Sequence, residues 1–251
     1  MSTVIYEVKE HVAYITLNRP EQRNAINSEM RETLFDLFTD VRDNPEVWLA
    51  VVTGAGESFS TGHDLKEMGT AHASVRTTDE LYVLQTNIWK PFIAAVNGHC
   101  LAQGAGIALC SDIRVASDRA IFGWPQAKRG IASVSGPSLL AHRIPLGRAM
   151  LALMTGDFIS ANEAHQLGLV EDLVPHDSLM SATKELARKI CANAPLSVRA
   201  IKEATVRGME MSLEARVRMA GLMVMQLRAT EDAKEGIAAF AEKRVPVWKG
   251  R

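Results

Sequence analysis

The sequence predicts an α/β fold whose last third is helical. Short apolar runs of strand length, Trp48 to Thr53 and Phe92 to Val96, are bounded by Asn-Pro, Gly-Ala-Gly and Asn-Gly breaks. Unbroken apolar runs of that length suit strands buried on both faces. Between them, Asn27 to Arg42 places Met30, Leu34, Leu37, Phe38 and Val41 on one helical face. From Leu179 onward only helical patterns occur.

The elements follow in order. Val4 to Val8 and Val12 to Leu17 alternate around Lys9-Glu10 and predict a strand pair. Asn18-Arg19-Pro20 breaks the pattern, Asn44-Pro45 ends the helix from Asn27, and Gly54-Ala55-Gly56 closes the strand from Trp48. Thr70 to Thr78, polar and small, predicts a mobile loop. Asp79 to Trp89 predicts a helix, Asn97-Gly98 turns the chain, and Gln103 to Cys110 predicts a helix rich in small residues. Ile113 to Ala116 and Ala120 to Phe122 are short strands. Ser160-Ala161-Asn162-Glu163 reads as a capping box opening a helix that stops at Gly168. Leu169 to Val174 is the last strand, and helices follow over 179–193, 196–207, 213–229 and 231–243.

Composition narrows the function class. The 251 residues are 47% hydrophobic and 23% charged, an ordinary globular balance with length for a large core. The expected organisation is a core over 1–190 and a helical oligomerisation region over 191–251. Lys plus Arg is 28 against 29 Asp plus Glu, so the net charge is -1. No global field favours nucleic acid or an anionic membrane, and an anionic ligand must be held by local groups. The three cysteines, Cys100, Cys110 and Cys191, form no C-x-x-C pair, which fits a reducing, cytoplasmic setting. No charged-then-apolar leader precedes the first strand. No apolar run approaches the ~18 residues of a spanning helix.

Two segments carry the chemistry. They are F-S-T-G-H-D-L-K-E-M (59–68) and A-A-V-N-G-H-C-L-A-Q-G-A-G-I-A-L-C-S-D (94–112). Each sets a backbone turn after an apolar strand, and together they can aim two N–H groups at one oxygen, which polarises a thioester carbonyl on its way to an enolate. Five further stretches lie in the same chain: N-R-P-E-Q-R-N-A-I-N (18–27), A-I-F-G-W-P-Q-A-K-R-G (120–130), M-T-G-D-F-I-S-A-N-E-A (154–164), G-L-V (168–170) and F-A-E-K-R (240–244). Over nearly its whole length the sequence resembles the crotonase superfamily, the enoyl-CoA hydratase/isomerase family.

The resemblance implies a spiral of β-β-α units with a helical C-terminal trimerisation region, assembled as a homotrimer or dimer of trimers. The helix over 213–229, with Met219, Met223 and Met225, suits either a subunit interface or a single-chain core. It also implies an acyl-CoA substrate, coenzyme A being part of that substrate, with no permanently bound cofactor and no metal. The backbone N–H groups of His63 and Gln103 stand at the family's two oxyanion-hole positions. Gly62 precedes the first of them, and Gly104 and Gly106 would let the acyl chain approach. The N-terminus of the 103–110 helix favours the developing negative oxygen. Arg23, Asn24 and Ala25 would line one wall of the coenzyme groove and Asp64, Leu65 and Lys66 the other. Phe240 and Lys243 would reach the nucleotide from a neighbouring subunit, and Trp124 shapes the acyl pocket or the core. Arg23 and Lys66 each suit a phosphate or a solvated surface.

The sequence departs from the family where hydratases carry two glutamates. Those positions are Gly106 and Gln126. Syn addition of water needs a base for water and an acid for the α-carbon. Glycine supplies neither, and glutamine does not titrate near neutrality. Full-rate hydration is therefore not expected. His63 and His99 could replace the carboxylates, or one faces solvent and the other packs in its turn. Cys100 reads as buried core before it reads as a nucleophile. Lys128 and Arg129 offer a substrate-carboxylate site or a solvent loop. The resemblance places Ser133 and Ser135 where some relatives carry an acid. The leading reading is an acyl-CoA enzyme that stabilises a thioester enolate. Its rivals are a malonyl-type CoA decarboxylase, a thioester or C–C hydrolase, and a non-catalytic CoA-binding scaffold.

Overall fold

A computed structural model describes residues 2–67 and 76–251. Strands β1 (Val4–Lys9), β2 (Val12–Leu17), β3 (Leu49–Gly54), β5 (Phe92–Val96), β7 (Ile113–Ser117) and β10 (Asp172–Val174) form one sheet in that order. Only the β1–β2 pair is antiparallel, in register from Val4 opposite Leu17 to Lys9 opposite Val12. A second sheet joins β4 (Ser58–Ser60), β6 (His99–Leu101), β8 (Ile121–Gly123) and β9 (Ile159–Ser160).

The apolar runs are buried on both faces because the first sheet separates two cores. Along β3 and β5, Ala50, Val52, Phe92, Ala94 and Val96 point into the larger core, shared with α1 (Ser28–Asp43) and the second sheet. The intervening Leu49, Val51, Ile93 and Ala95 meet Leu179 and Ala187 of α7 (Leu179–Cys191) on the other face. The period-two alternation of strand side chains divides one run between two cores.

Helix α1 starts where the Asn27 side chain accepts from Met30 N. Helix α2 (Thr78–Thr86) starts with a capping box between Thr77 and Glu80, inside the stretch predicted as loop. The rest of that predicted loop, 70–75, lies outside the described residues. Next come α3 (Ala102–Cys110), α4 (Ser135–Ser138), α5 (Leu146–Thr155) and α6 (Ala161–Gln166). At α6 only half of the expected box forms. Ser160 Oγ accepts from Glu163 N, while the Glu163 carboxylate pairs with Arg148. The last strand shrinks to Asp172–Val174, and Leu169 and Val170 instead pack into the larger core. After α7 come α8 (Pro195–Gly208), α9 (Leu213–Leu227) and α10 (Glu231–Glu242). Helix α9 buries none of its residues within the chain.

Candidate active site

The site grows from two turns that meet at the ends of β4 and β6. At the first, Ser60 Oγ accepts from Gly62 N at 3.2 Å and donates to Asn24 O at 2.8 Å. Gly62 takes φ +93°, a left-handed conformation that glycine adopts without cost to a Cβ. A Cβ there would lie 2.8 Å from Ala102 Cβ and 3.0 Å from Gln103 N, so the two turns are in contact. Ile26 then clamps both sides of His63. Ile26 N donates to Gly62 O at 2.7 Å, and Asp64 N donates to Ile26 O at 3.1 Å. In a parallel bridge of this kind the middle residue's own N–H points away from its partner. The His63 amide therefore faces the side where α3 begins.

At the second turn Ala102 takes φ 51° and opens α3. Gln103 is the second residue of that helix, so its N–H is among those without an intrahelical acceptor. Ser135 Oγ donates to Ala102 O at 3.0 Å and accepts from Trp124 Nε1 at 3.0 Å, which holds the strained residue in place. Trp124 is thus a buried support of the turn.

The side chains extend the geometry. His63 is exposed, and its Nδ1 lies 2.6 Å from Gln103 Oε1. Gln103 Nε2 donates to Thr78 Oγ1 at 2.6 Å. From below, the Tyr82 hydroxyl donates to Gln103 O at 3.1 Å. Burial above all pushes the ionisation of that phenol far above its usual value, so it stays an O–H donor.

At two glycines expected to admit an acyl chain, the Cβ direction meets protein. A Cβ on Gly104 would lie 2.6 Å from both Ser60 Cβ and Ser60 O. A Cβ on Gly106 would lie 2.1 Å from the Tyr82 hydroxyl. Both glycines make room for protein, and Tyr82 occupies the space that a larger residue at 106 would fill. Gln126 sits at the start of a short 3-10 turn, its Oε1 buried without a hydrogen-bond partner among the described residues.

The other sequence-predicted residues divide into supports and surface groups. Asn24 is fully buried, with Nδ2 donating to Ala55 O and Ser58 O and Oδ1 accepting from Arg19 N. It braces the 19–25 loop, and its side chain is not available as a groove wall. Asp64 pairs with Arg19 at 2.9 Å, and Arg19 also donates to Ala25 O at 2.5 Å. Burial would raise the Asp64 pKa, but bonds from Arg19 and from Lys66 N outweigh it and hold the carboxyl below the ordinary range. Arg23, Leu65 and Lys66 are exposed. Phe240, 88% exposed, and Lys243 lie on α10 and its left-handed cap.

His99 opens β6, half-buried, without a side-chain bond among the described residues and outside the His63–Gln103 pair. Burial pushes both core thiols up, Cys110 to about 12 and Cys100 beyond that. Neither supplies a thiolate. Lys128 pairs with Asp157, while Arg129 is exposed with no ion pair among the described residues. Sequence reading missed Tyr82 and Thr78, which carry no motif and reach the site only through packing.

The profile of the family described as "Enoyl-CoA hydratase/isomerase" matches residues 7–251. The chain belongs to this family. It is 42% identical to the (E)-benzylidenesuccinyl-CoA hydratase of Thauera aromatica, covering 98% of this chain and 99% of that one. It is 34% identical to the 2,3-dehydroadipyl-CoA hydratase of Escherichia coli, covering 100% of each. Among solved structures, an enoyl-CoA hydratase from Bacillus anthracis superposes with a TM-score of 0.94 at 33% identity, over 99% of this chain and 100% of that one. An enoyl-CoA hydratase from Mycobacterium marinum also reaches 0.94, at 36% identity over 100% of both chains. The fold is the crotonase fold, and the protein is an acyl-CoA-processing enzyme of the hydratase/isomerase type. Among the described residues no helix is long and apolar enough to cross a membrane, and no group of three or more His, Cys, Asp or Glu could hold a metal ion.

Proposed function

We propose that this enzyme adds water across the C2=C3 bond of an α,β-unsaturated acyl-CoA, with the thioester oxygen held by the N–H groups of His63 and Gln103. The observation that supports this most is the contact between the Gly62 turn and the start of α3, where a Cβ on Gly62 would lie 3.0 Å from Gln103 N, with no backbone acceptor for the adjacent His63 N among the described residues. Addition of a water oxygen at C3 moves the π electrons to the thioester oxygen, and fixed N–H dipoles stabilise that charge without reorganising. Arg23 and Lys66 are proposed contacts for the coenzyme phosphates.

The substrate class is proposed from the relatives' names. Benzylidenesuccinyl-CoA and 2,3-dehydroadipyl-CoA are both monothioesters of dicarboxylic acids. Arg129, a cation without an ion pair among the described residues and three residues past Gln126, is the proposed partner of a second carboxylate. The apolar face of α9, with Leu222 63% and Met225 66% exposed, is proposed as the subunit contact of a trimer or dimer of trimers. Phe240 and Lys243 of one copy would then reach the coenzyme of the next.

The test is incubation with crotonyl-CoA, 2,3-dehydroadipyl-CoA, a 3-enoyl-CoA and methylmalonyl-CoA, each followed by mass. Gain of one water by a 2-enoyl thioester supports the proposal. Loss of carbon dioxide from methylmalonyl-CoA, with no hydration, would replace it by decarboxylation. The lack of carboxylates at Gly106 and Gln126 favours that second reading. No turnover at all would leave a CoA-binding scaffold.

A further inference from the structure

Granting the hydration reading above, we propose that the His63 imidazole, oriented by Gln103 and Thr78, is the acid–base group that replaces the two missing carboxylates. Hydration requires one group to accept a proton from water and then return a proton to C2. The titratable groups on the elements meeting at the two turns narrow quickly. Asp64 is paired with Arg19 and held in its charged, weakly basic form. The Glu67 carboxylate accepts from Ser28 N and Oγ, and that of Glu80 caps α2 at Thr77. Asp79 lies on the exposed first turn of α2 with no bond to either turn of the site. Tyr82 aims its proton at Gln103 O, and Cys100 and Cys110 are buried thiols. His99, half-buried at the far end of β6, lies outside the His63–Gln103 pair, whereas His63 stands at the proposed hole itself.

Its geometry suits the task. Gln103 Nε2 is engaged by Thr78 Oγ1, which turns Oε1 toward the ring. A carbonyl oxygen only accepts, so Nδ1 carries the proton and Nε2 presents a lone pair. Nε2 has no partner among the described residues. Amide and ring belong to the same residue, and on this proposal C3 of a substrate whose oxygen is bound by the His63 amide lies within reach of the ring's Nε2. Nε2 takes a proton from water as the water oxygen bonds C3, the C2=C3 pair shifts to give the enolate, and the imidazolium then returns the proton to C2 as the thioester carbonyl re-forms. Gln103 and Thr78 act as positioning residues. Their neutral tie orients the ring without adding the charge that a carboxylate partner would contribute.

Because the hole uses backbone, His63→Ala removes the ring and keeps the N–H. For a 2-enoyl-CoA that the wild-type enzyme hydrates, the expected result is a kcat lower by ~10²–10⁴-fold, the usual worth of an acid–base group, with KM little changed. Added imidazole should restore part of the rate with saturation. Gln103→Leu should lower kcat at similar KM, and Gln103→Glu, which keeps an acceptor facing Nδ1, should recover rate relative to it. Wild-type kcat in His63→Ala overturns the proposal while leaving the hydration reading intact. So does a loss that imidazole does not rescue in a variant with wild-type thermal stability. Absence of hydration by the wild-type enzyme on every 2-enoyl-CoA tried overturns both.

Discussion

The two glycine-bearing turns proposed to share one task have opposite surroundings. At Gly62-His63 the glycine is required by its own backbone angle, and the residue beside it is exposed with a ring nitrogen that has no partner among the described residues. At Gln103 to Gly106 the glycines are required by their neighbours, Ser60 behind one and Tyr82 behind the other. On the reading proposed above, the first turn would contribute a side chain as well as an amide, and the second, a packed abutment, an amide alone. A glycine near a reactive centre is thus no evidence of space for substrate until what faces it is known.

The contrast breaks most visibly at Gly104. Replacement by Val drives a side chain into the backbone of β4, which cannot yield as a flexible side chain can. Overpacking typically costs ~1–3 kcal/mol, and this site should exceed that range. The expected result is a large fall in Tm or loss of soluble protein. A variant with wild-type Tm that merely loses acyl-CoA binding would show that Gly104 faces substrate after all.

A smaller but more informative effect is expected at Gly106. Gly106→Glu alone should destabilise by ~1–3 kcal/mol through collision with Tyr82, and it should not gain hydration. Adding Tyr82→Ala should relieve part of that cost, so the two changes are non-additive in a double-mutant cycle read by urea unfolding. Adding Gln126→Glu to that pair then tests whether two carboxylates revive crotonyl-CoA hydration. Additive stabilities would show that Tyr82 does not fill the space at 106.

Tyr82→Phe sharpens the picture further. It keeps the ring and removes the donor to Gln103 O, for an expected loss of about 1 kcal/mol in the urea midpoint analysis. No loss would mean that the carbonyl finds another donor.

The smallest effect serves as a control remote from both turns. Burial, with Arg199 nearby, lowers the Lys90 pKa from 10.5 to about 8. Between those values the unfolded chain holds a proton that the folded chain has released, so this group's contribution to stability rises with pH across the window. Lys90→Met should flatten the wild-type rise in Tm over that range. An unchanged pH slope would remove Lys90 from the account.

The strands legible in the sequence are those with a core on each face. Phe92 to Val96 matches its strand end to end because every residue is apolar. The second sheet escaped in large part because β4 and β6 have three residues each and β9 has two, too few to show a period. The proposed hole positions rest on turn signals that lie along the chain, Gly62-His63 after β4 and Gln103-Gly104 at the start of α3. The role of Gly106 could not be read, because Tyr82 reaches it across the α2–α3 contact, which no pattern along the chain encodes. Asn24 was misread for a similar reason. A polar residue in a loop looks like a ligand contact until its amide is found bracing carbonyls at 55 and 58.

The clamp at Ile26 has a mechanical consequence. One residue, Ile26, joins the 19–26 loop to both flanks of His63 through its N–H and its C=O, so a displacement of that loop is transmitted to the amide and to the imidazole together. If the nucleotide end of the coenzyme settles against Arg23, its grip is felt at the reacting carbon as a correction of angle, not as an added attraction. Shortened thioesters that lack the nucleotide should then turn over more slowly even at saturation, the sign that distant contacts tune the aim of the machinery as well as its hold.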